Sequence, residues 1–173
     1  MNTFVRKTLP FVLLLLSSGL TAEELIGRVV AVTDGDTIKV LDANNTAYKI
    51  RLSGIDSPER GQPYRNASRE HLASLVAGKE VLVEWTKQDR YNRIVGKVWV
   101  QPADCPSCPK TLDTNLAQVT AGMAWWYRYY AMEQPPDDRG RYESAEEEAK
   151  NQRWGLWSDP NPINPYDWRK GNR

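Results

Sequence analysis

The sequence predicts an α+β fold that is mainly β, with a five-stranded OB-type barrel and about three helices packed on it. Five segments are rich in β-branched and apolar residues, one helical repeat follows the third segment, and two more lie towards the C-terminus. This order of elements is typical of an OB-type barrel. With 173 residues, of which 40% are hydrophobic, the chain is long enough for one domain with a packed core.

The first three predicted strands form an antiparallel meander. They span residues 25–32, 37–41 and 47–52, and each is rich in apolar or β-branched residues. Short turns at residues 33–36 and 42–45, where Asp, Asn and Gly accumulate, join them. Because turns this short place consecutive strands side by side, we expect the first turn to lie near the end of the third strand.

The rest of the domain is predicted to alternate between helix and strand. Apolar residues spaced three or four apart predict a helix after Pro63, with Gly78 at the position of a C-terminal cap. The sequence from residue 155 onward is rich in Pro and is predicted to be mostly irregular. Between them, the predicted elements are strands at residues 80–85 and 94–100 and helices at residues 112–123 and 141–154.

The composition excludes several classes of protein. A single His excludes a zinc site built from several histidines, and two Cys exclude a dense disulfide scaffold. The formal net charge of +1 does not by itself indicate a nucleic-acid binder. The charge is uneven, because residues 133–148 carry seven acidic and two basic side chains. We interpret this acidic run as the solvated face of a helix.

The N-terminus has the pattern of a secretory signal peptide. Arg6 and Lys7 precede an apolar run at residues 11–16, and mostly small or polar residues follow up to Ala22. The run is too short to cross a membrane, which takes about 20 residues. We therefore expect cleavage after Ala22, export, and no stable membrane association afterwards. The predicted organisation is a signal peptide at residues 1–22, a domain at residues 23–159 and a Pro-rich C-terminal tail at residues 160–173.

Four carboxylates fall in loops that the meander brings together. Asp34 and Asp36 lie in the first turn, and Asp56 and Glu59 follow the third strand. Oxygen ligands of this kind suit a hard cation such as Ca²⁺. The spacing is not that of an EF-hand, which requires Glu at the twelfth position, where this chain has Asn45. An Asp-Gly-Asp sequence alone is usually only a turn, so the predicted cation site depends on both loops converging.

Arginines accompany these carboxylates in the sequence. Arg51 lies on the third strand, and Arg90 and Arg93 lie in the hairpin that follows residues 80–85. Arg binds phosphate bidentately and stabilises the charge that develops during its reactions. A cation, a carboxylate that activates water and arginines that bind phosphate are together what phosphodiester hydrolysis requires.

Three separated motifs distinguish the chain, namely residues 34–37 (DGDT), 50–59 (IRLSGIDSPE) and 89–93 (DRYNR). Their order and internal spacing resemble the thermonuclease family, the staphylococcal or micrococcal nuclease type. The resemblance covers about residues 26–158, and residues 155–163 are similar to the C-terminal signature of bacterial members. It implies a periplasmic or secreted Ca²⁺-dependent nuclease that cuts DNA and RNA with little sequence preference, leaving 5′-hydroxyl and 3′-phosphate ends.

The resemblance also implies the roles of individual residues. Asp36, Asp56 and the main-chain carbonyl of Ser57 are the expected Ca²⁺ ligands, and Glu59 is expected to hold and deprotonate the attacking water. Ser57 stands where Thr is common in the family, a change that a backbone ligand tolerates.

The substrate contacts are implied in the same way. Arg51 and Arg93 are expected to bind the scissile phosphate, Arg90 and Tyr91 to contact nucleotide phosphates, and Tyr130 to lie near the base and sugar. We expect a monomer with DNA and RNA as its substrates.

Aromatic residues surround Tyr130 in the sequence. We interpret Trp125 and Trp126 as structural residues of the barrel. Position 128 is Arg where the type member of the family has Tyr, which predicts weaker base stacking and stronger attraction of phosphate there. His71 lies on the apolar stripe of the first predicted helix, and we interpret it as a packing or helix-surface residue.

Cys105 and Cys108 lie in a Pro-rich loop with the spacing Cys-x-x-Cys. For an exported protein we favour an intraloop disulfide. A thioredoxin-like redox pair would need a strand followed by a helix, and a zinc knuckle would need two further ligands.

Two other functions compete with the nuclease. The first is a catalytically inactive OB module that binds single-stranded nucleic acid, although binding alone does not require the carboxylates. The second is a glycosidase that uses Asp56 and Glu59 as its carboxylate pair, which leaves Arg51 and Arg93 without a role.

Overall fold

The computed structural model describes residues 22–171 and confirms the predicted α+β fold. The predicted signal peptide, up to Thr21, lies outside the described residues. Among those described, no helix has the length and apolar character needed to cross a membrane. The strands are β1 (Glu23–Asp34), β2 (Thr37–Leu41), β3 (Ala47–Leu52), β4 (Ile55–Asp56), β5 (Glu80–Gln88), β6 (Ile94–Val100), β7 (Leu112–Asp113) and β8 (Trp125–Trp126). The helices are α1 (Arg65–Val76), α2 (Thr114–Thr120), α3 (Pro136–Asn151) and α4 (Pro165–Arg169), with 3₁₀ helices at Arg128–Glu133 and Gly155–Ser158.

Five strands close into the barrel. Antiparallel pairing runs in the order β3-β2-β1-β5-β6, and a parallel pairing of β3 with β6 completes the circle. β1 is long enough to pair with two strands, because its first part pairs with β5 and its second part with β2. The closing register sets Ile50 opposite Ile94 and Arg51 opposite Val95. The end of β3 therefore lies beside the start of β6.

The barrel core follows from the two-residue alternation of the strands. In each strand, alternate apolar side chains point inward, because successive side chains leave opposite faces. The inward residues of β2, β3, β5 and β6 are almost completely buried: Ile38, Val40, Ile50, Leu52, Val81, Val83, Val98 and Val100. Helix α1 covers this core with Leu72 and Val76, which lie four residues apart on one helix face.

The helix predicted at residues 112–123 is shorter than expected. Leu112 and Asp113 form β7 and pair with the end of β6, so the helix cannot begin there. Asp113 is instead the N-cap of α2, and its carboxylate accepts a hydrogen bond from the N–H of Leu116 at 3.0 Å. Buried Asn115 then fastens α2 to the barrel by accepting from Val98 N–H and donating to the Gly96 carbonyl.

The last long helix begins earlier than the sequence predicted. It starts at Pro136 instead of residue 141, because Pro fits the first turn of a helix and Asp137 and Asp138 favour its positive end. The tail was expected to be mostly irregular, yet it contains α4, whose N-cap Asn164 accepts from the N–H of Tyr166. Cys105 and Cys108 are joined in a disulfide within their loop.

The interpretation of residues 133–148 as a solvated face was wrong for two members. Glu146 is completely buried, and its carboxylate accepts hydrogen bonds from Trp126 N–H at 3.0 Å, Arg128 Nη1 at 2.5 Å and Lys150 Nζ at 2.7 Å. Asp138 is also buried and pairs with Lys97. Buried carboxylates need cationic or N–H partners. Some of these partners lie on β6 and β8, so the two acids attach α3 to those strands.

Removal of the Glu146 carboxylate should destabilise the fold. Glu146→Ala removes the acceptor of the Trp126 backbone N–H and of two cations. We therefore expect the free energy of unfolding to fall by about 3 kcal/mol. Urea denaturation measures this change. Glu147→Ala removes an exposed acid from the same helix and should change stability by less than about 0.5 kcal/mol. Equal stability of the two variants would contradict the anchoring role.

Candidate active site

Two buried carboxylates, Asp36 and Asp56, meet at one end of the barrel. Asp36 lies in the turn between β1 and β2, and Asp56 lies in β4, which pairs with β8 opposite Trp125. Asp36 is 5% exposed and Asp56 1%. The Ser57 N–H donates to Asp36 Oδ2 at 2.7 Å, so the chain immediately after Asp56 is bound directly to the other acid. The two predicted loops therefore converge.

Arg51 joins the two carboxylates through a single nitrogen atom. Its Nη2 lies 3.1 Å from Asp36 Oδ2 and 3.0 Å from Asp56 Oδ1. Its Nη1 donates to the carbonyls of Leu52 and Ile55, at 2.9 Å each. With four acceptors and only 14% exposure, the guanidinium is fixed in orientation.

A glycine allows the Asp36 turn to lie against helix α1. A Cβ built on Gly35 would come within 1.8 Å of the Ser68 hydroxyl oxygen and 2.8 Å of Ser57 Cβ. Buried Gln118 of α2 holds the same turn by donating from Nε2 to the Gly35 carbonyl at 2.6 Å. His71 contacts the side chain of Gln118 through Nδ1, in agreement with its interpretation as a packing residue, and is thereby linked to the turn through Gln118.

The site holds more negative charge than Arg51 balances. Burial and the nearby charge of Asp36 raise the pKa of Asp34 to about 6. Burial also raises the pKa of Asp56, against the opposing effects of two arginines. For Asp36 burial acts in the same direction, but Arg51 and hydrogen bonds outweigh it, and the pKa is lowered. Asp36 is therefore the most strongly ionised of the three carboxylates.

An arginine that the sequence analysis did not identify completes the cluster. Arg169 of α4 binds both oxygens of Asp56, with Nη1–Oδ1 at 3.1 Å and Nη2–Oδ2 at 2.9 Å. Its Nη1 also lies 2.6 Å from Glu59 Oε1. These hydrogen bonds raise the pKa of Arg169 despite its partial burial. No local motif marks Arg169, because its partners lie more than 100 residues earlier in the chain.

The other predicted arginine of the site, Arg93, is held by Asp89. Arg93 lies just before β6, beside β3, and its Nε donates to Asp89 Oδ2 at 2.7 Å. The other oxygen of Asp89 accepts from the N–H groups of Tyr91 and Arg93. Burial opposes ionisation, but these hydrogen bonds outweigh it and lower the pKa of Asp89. The structure thus brings Arg93 to the strand that carries Arg51, with its guanidinium on Asp89.

The predicted substrate contacts form two exposed aromatic groups. Tyr91 is 65% exposed, and the guanidinium carbons of Arg90 and Arg93 lie 5.0 and 5.5 Å from its ring centre. Tyr130 is 43% exposed, and the ammonium of Lys87 at the end of β5 lies 5.2 Å from its ring centre. Both groups therefore lie around the hairpin between β5 and β6.

Arg128 is half-exposed, and its guanidinium pairs with a buried acid. Its Nη1 binds buried Glu146, and its guanidinium carbon lies 4.4 Å from the ring centre of Trp126. The expectation that Arg128 attracts phosphate stays a prediction, for a half-exposed guanidinium whose charge Glu146 partly balances. Trp126 is buried and Trp125 packs edge-on against Trp157 with ring centres 4.3 Å apart, as structural residues do.

The donor chemistry fits a hard cation held by few protein ligands. Asp36 and Asp56 offer buried carboxylate oxygens within hydrogen-bond distance of one shared nitrogen, and hard cations prefer oxygen. Among residues 22–171, three or more His, Cys, Asp or Glu side chains do not gather into a metal cage. A cation here would draw on the two aspartates, a backbone carbonyl and water.

Comparison with known proteins identifies the family. Residues 49–159, which include Arg51, Asp56, Glu59 and Arg93, match the family model described as "Staphylococcal nuclease homologue". The chain belongs to the staphylococcal nuclease family. Asp36 and Arg169 lie outside the matched residues.

Three bacterial relatives extend the similarity to nearly the whole chain. An Escherichia coli protein named "Uncharacterized endonuclease" is 39% identical, over 95% of this chain and 98% of its own. A Shigella flexneri "Micrococcal nuclease" is 43% identical, over 85% of this chain and 82% of its own. A Haemophilus influenzae "Uncharacterized endonuclease" is 36% identical, over 95% and 86% respectively. Family membership makes the chain a nuclease that hydrolyses phosphodiester bonds.

The close approach at Gly35 can be tested by substitution. Gly35→Ala forces the Asp36 turn away from Ser68 and Ser57, so we expect a loss of about 1–3 kcal/mol in unfolding free energy and slower DNA cleavage. Adding Ser68→Gly removes the nearest obstacle and should restore part of both.

Gly140→Ala provides the matched control for this substitution. A Cβ at Gly140 meets no atom within 4 Å, so that change in α3 should stabilise by about 0.5–1 kcal/mol. Urea denaturation and a cleavage assay measure all four variants, including Ser68→Gly alone. Full stability and activity of Gly35→Ala would contradict the proposed packing.

Proposed function

We propose that this nuclease is an exported, Ca²⁺-dependent enzyme that cleaves DNA and RNA with little sequence specificity, leaving 5′-hydroxyl and 3′-phosphate ends. The observation that carries the proposal is the pair of buried carboxylates, Asp36 and Asp56, converging on Arg51. A nucleic-acid-binding surface gains nothing from buried acids unless a cation accompanies them, because acids repel phosphate.

Asp36, Asp56 and the Ser57 carbonyl are the proposed Ca²⁺ ligands. Bound Ca²⁺ would offset the charge of the substrate phosphate and polarise its P–O bond. Burial favours this binding, since the two aspartates are almost completely removed from water and their mutual repulsion is only partly relieved by Arg51. The bond from Ser57 N–H to Asp36 keeps the two ligand loops in one fixed arrangement.

Glu59 is the proposed base. It lies three residues after Asp56 in a loop, and its side chain is 38% exposed to solvent water. Arg169 Nη1 binds both Glu59 and Asp56, so the two carboxylates lie on either side of one nitrogen atom. The Glu59 N–H is fixed by the side chain of Gln62 at 2.9 Å, which orients the loop. A carboxylate so placed takes a proton from the attacking water while the phosphate is held beside it.

Arg51 and Arg93 are the proposed phosphate clamps. Arg51 is held by two backbone carbonyls and two carboxylates, so the orientation of its guanidinium is fixed before substrate arrives. Arg93 is oriented by Asp89, which lies four residues earlier in the same turn between β5 and β6. Donors fixed in advance stabilise the extra charge on pentacoordinate phosphorus without reorganisation. We further propose that Arg90, Tyr91 and Tyr130 contact adjoining nucleotides by charge and stacking.

Export is proposed from the N-terminal pattern and is consistent with the disulfide. Basic residues followed by a short apolar run are typical of secreted precursors, and disulfides persist in oxidising compartments. The proposed mature chain begins at Glu23, which is also the first residue of β1.

The nuclease proposal predicts a specific cleavage pattern. The chain from Glu23 to Arg173 should fragment single- and double-stranded DNA and RNA with Ca²⁺, and a chelator should abolish the reaction. The fragments should accept label at the 5′ end from polynucleotide kinase without prior phosphatase treatment, because those ends are hydroxyls. Absence of cleavage with Ca²⁺, Mg²⁺ or Mn²⁺ would favour an inactive nucleic-acid-binding module, and 5′-phosphate ends would refute the proposed bond choice.

The phosphate clamps predict a large loss of rate on conservative substitution. Arg51→Lys and Arg93→Lys keep the charge but lose the planar fork, so each should lower kcat by roughly 10²-fold. Arg141→Lys makes the same change on the exposed face of α3 and should leave the rate within about twofold. Circular dichroism establishes that each variant is folded. A near-normal rate in either site variant would remove that arginine from the clamp.

A further inference from the structure

The end of the chain lies across the carboxylate cluster. We define the C-terminal strap as residues 159–171, which include α4. Gln62 Nε2 donates to the Ile163 carbonyl at 2.6 Å, and the ring of Tyr166 stacks on Tyr129 with centres 6.2 Å apart and planes 21° apart. These contacts hold the strap at two points beside the site and place Arg169 over it.

Arg169 occupies the same oxygen atoms that a cation would use. Its two terminal nitrogens bind Oδ1 and Oδ2 of Asp56, and one of them also binds Glu59. Asp56 is the better buried partner, with a side chain 2% exposed, whereas Arg169 is 38% exposed. Both guanidinium groups bind Asp56, and Arg169 is the more exposed of the two, since the side chain of Arg51 is only 14% exposed.

Arg51 and Arg169 already share Asp56 Oδ1, and Arg169 also takes Oδ2, so a divalent cation on the same carboxylate would meet two guanidinium groups. Ca²⁺ binds carboxylate oxygens at about 2.3–2.6 Å, and the Arg169 nitrogens lie about 3 Å from the same atoms. Repulsion between a guanidinium and a divalent ion on one carboxylate is strong, because the effective dielectric at a protein surface is well below that of water. The docked strap and a bound cation are thus alternative states of the carboxylates.

We propose that Arg169 is an internal counter-ion that holds Asp56 and Glu59 in the cation-free protein and must leave them when Ca²⁺ binds. This inference rests on the proposed calcium dependence. The strap then lowers the apparent affinity for the cation, because the observed dissociation constant equals the intrinsic one divided by the fraction of molecules with free carboxylates. A strap docked nine-tenths of the time raises that constant about tenfold.

Calorimetric titration of CaCl₂ into the chain from Glu23 to Arg173, without nucleic acid, tests the proposal. Arg169→Gln should bind Ca²⁺ about tenfold or more tightly than the unaltered protein. Arg169→Lys keeps the charge but loses the bidentate contact, so it should fall between the two.

Lys170→Gln is the matched control. It removes the same formal charge one residue further on, where the Lys170 ammonium lies against the ring of Tyr166 and not against the carboxylates. We expect it to change the Ca²⁺ dissociation constant by less than about threefold, because an exposed charge acts only through a screened field. Thermal unfolding of each variant confirms that the barrel is intact.

The outcomes distinguish failure of the strap proposal from failure of the proposed calcium dependence. Tighter binding by Arg169→Gln and little change in Lys170→Gln would support the internal counter-ion. Equal or weaker Ca²⁺ binding by folded Arg169→Gln would overturn it while leaving calcium dependence in place. If neither the unaltered protein nor any variant bound Ca²⁺, the proposed calcium dependence would fail, and the proposed role of the strap would fail with it.

Discussion

The carboxylate pair Asp36 and Asp56 is held together by Arg51, and the rest of the site is arranged around that ion pair. Burial and mutual repulsion oppose the ionisation of two such acids, so they stay charged only where cations and N–H groups compensate. Arg51 reaches both because β3 runs beside the Asp36 turn, where the N–H of Leu52 donates to the Asp36 carbonyl at 2.8 Å. The barrel thus supplies the alignment, and the guanidinium supplies the charge.

The same rule operates where α3 packs against β6 and β8. Glu146 and Asp138 lie within a run of acids that sequence patterns describe as solvated, yet both are buried and paired with cations. A helix with this composition lacks a wide apolar stripe, so it docks through ion pairs and through Tyr142, whose hydroxyl donates to Asp113. Acidic residues that composition alone assigns to the surface therefore help to fix α3 to its neighbouring elements.

The barrel and half of the site could be predicted because their determinants are local. Strands β2, β3 and β6 follow directly from alternation and turn residues, and the acids lie beside those turns. The contacts of Arg169 and Gln118 could not be predicted, since each joins residues far apart in sequence with no periodic pattern between them. The start of α2 was misplaced for a related reason, because the pairing of Leu112 and Asp113 with β6 overrides their helical spacing.

The active site depends on the parallel contact between β3 and β6, so it is sensitive to local unfolding of the barrel at that contact. Arg51 and Arg93 lie on the two sides of this closing contact, whereas the hairpins of β1 with β2 and of β5 with β6 need no closure to form. Parallel pairing of strands distant in sequence is entropically costly and tends to be the last to form. A molecule opened only there keeps most of its hydrogen bonds but separates its arginines. Opening of this contact alone would therefore remove competent enzyme at a free energy below that of complete unfolding.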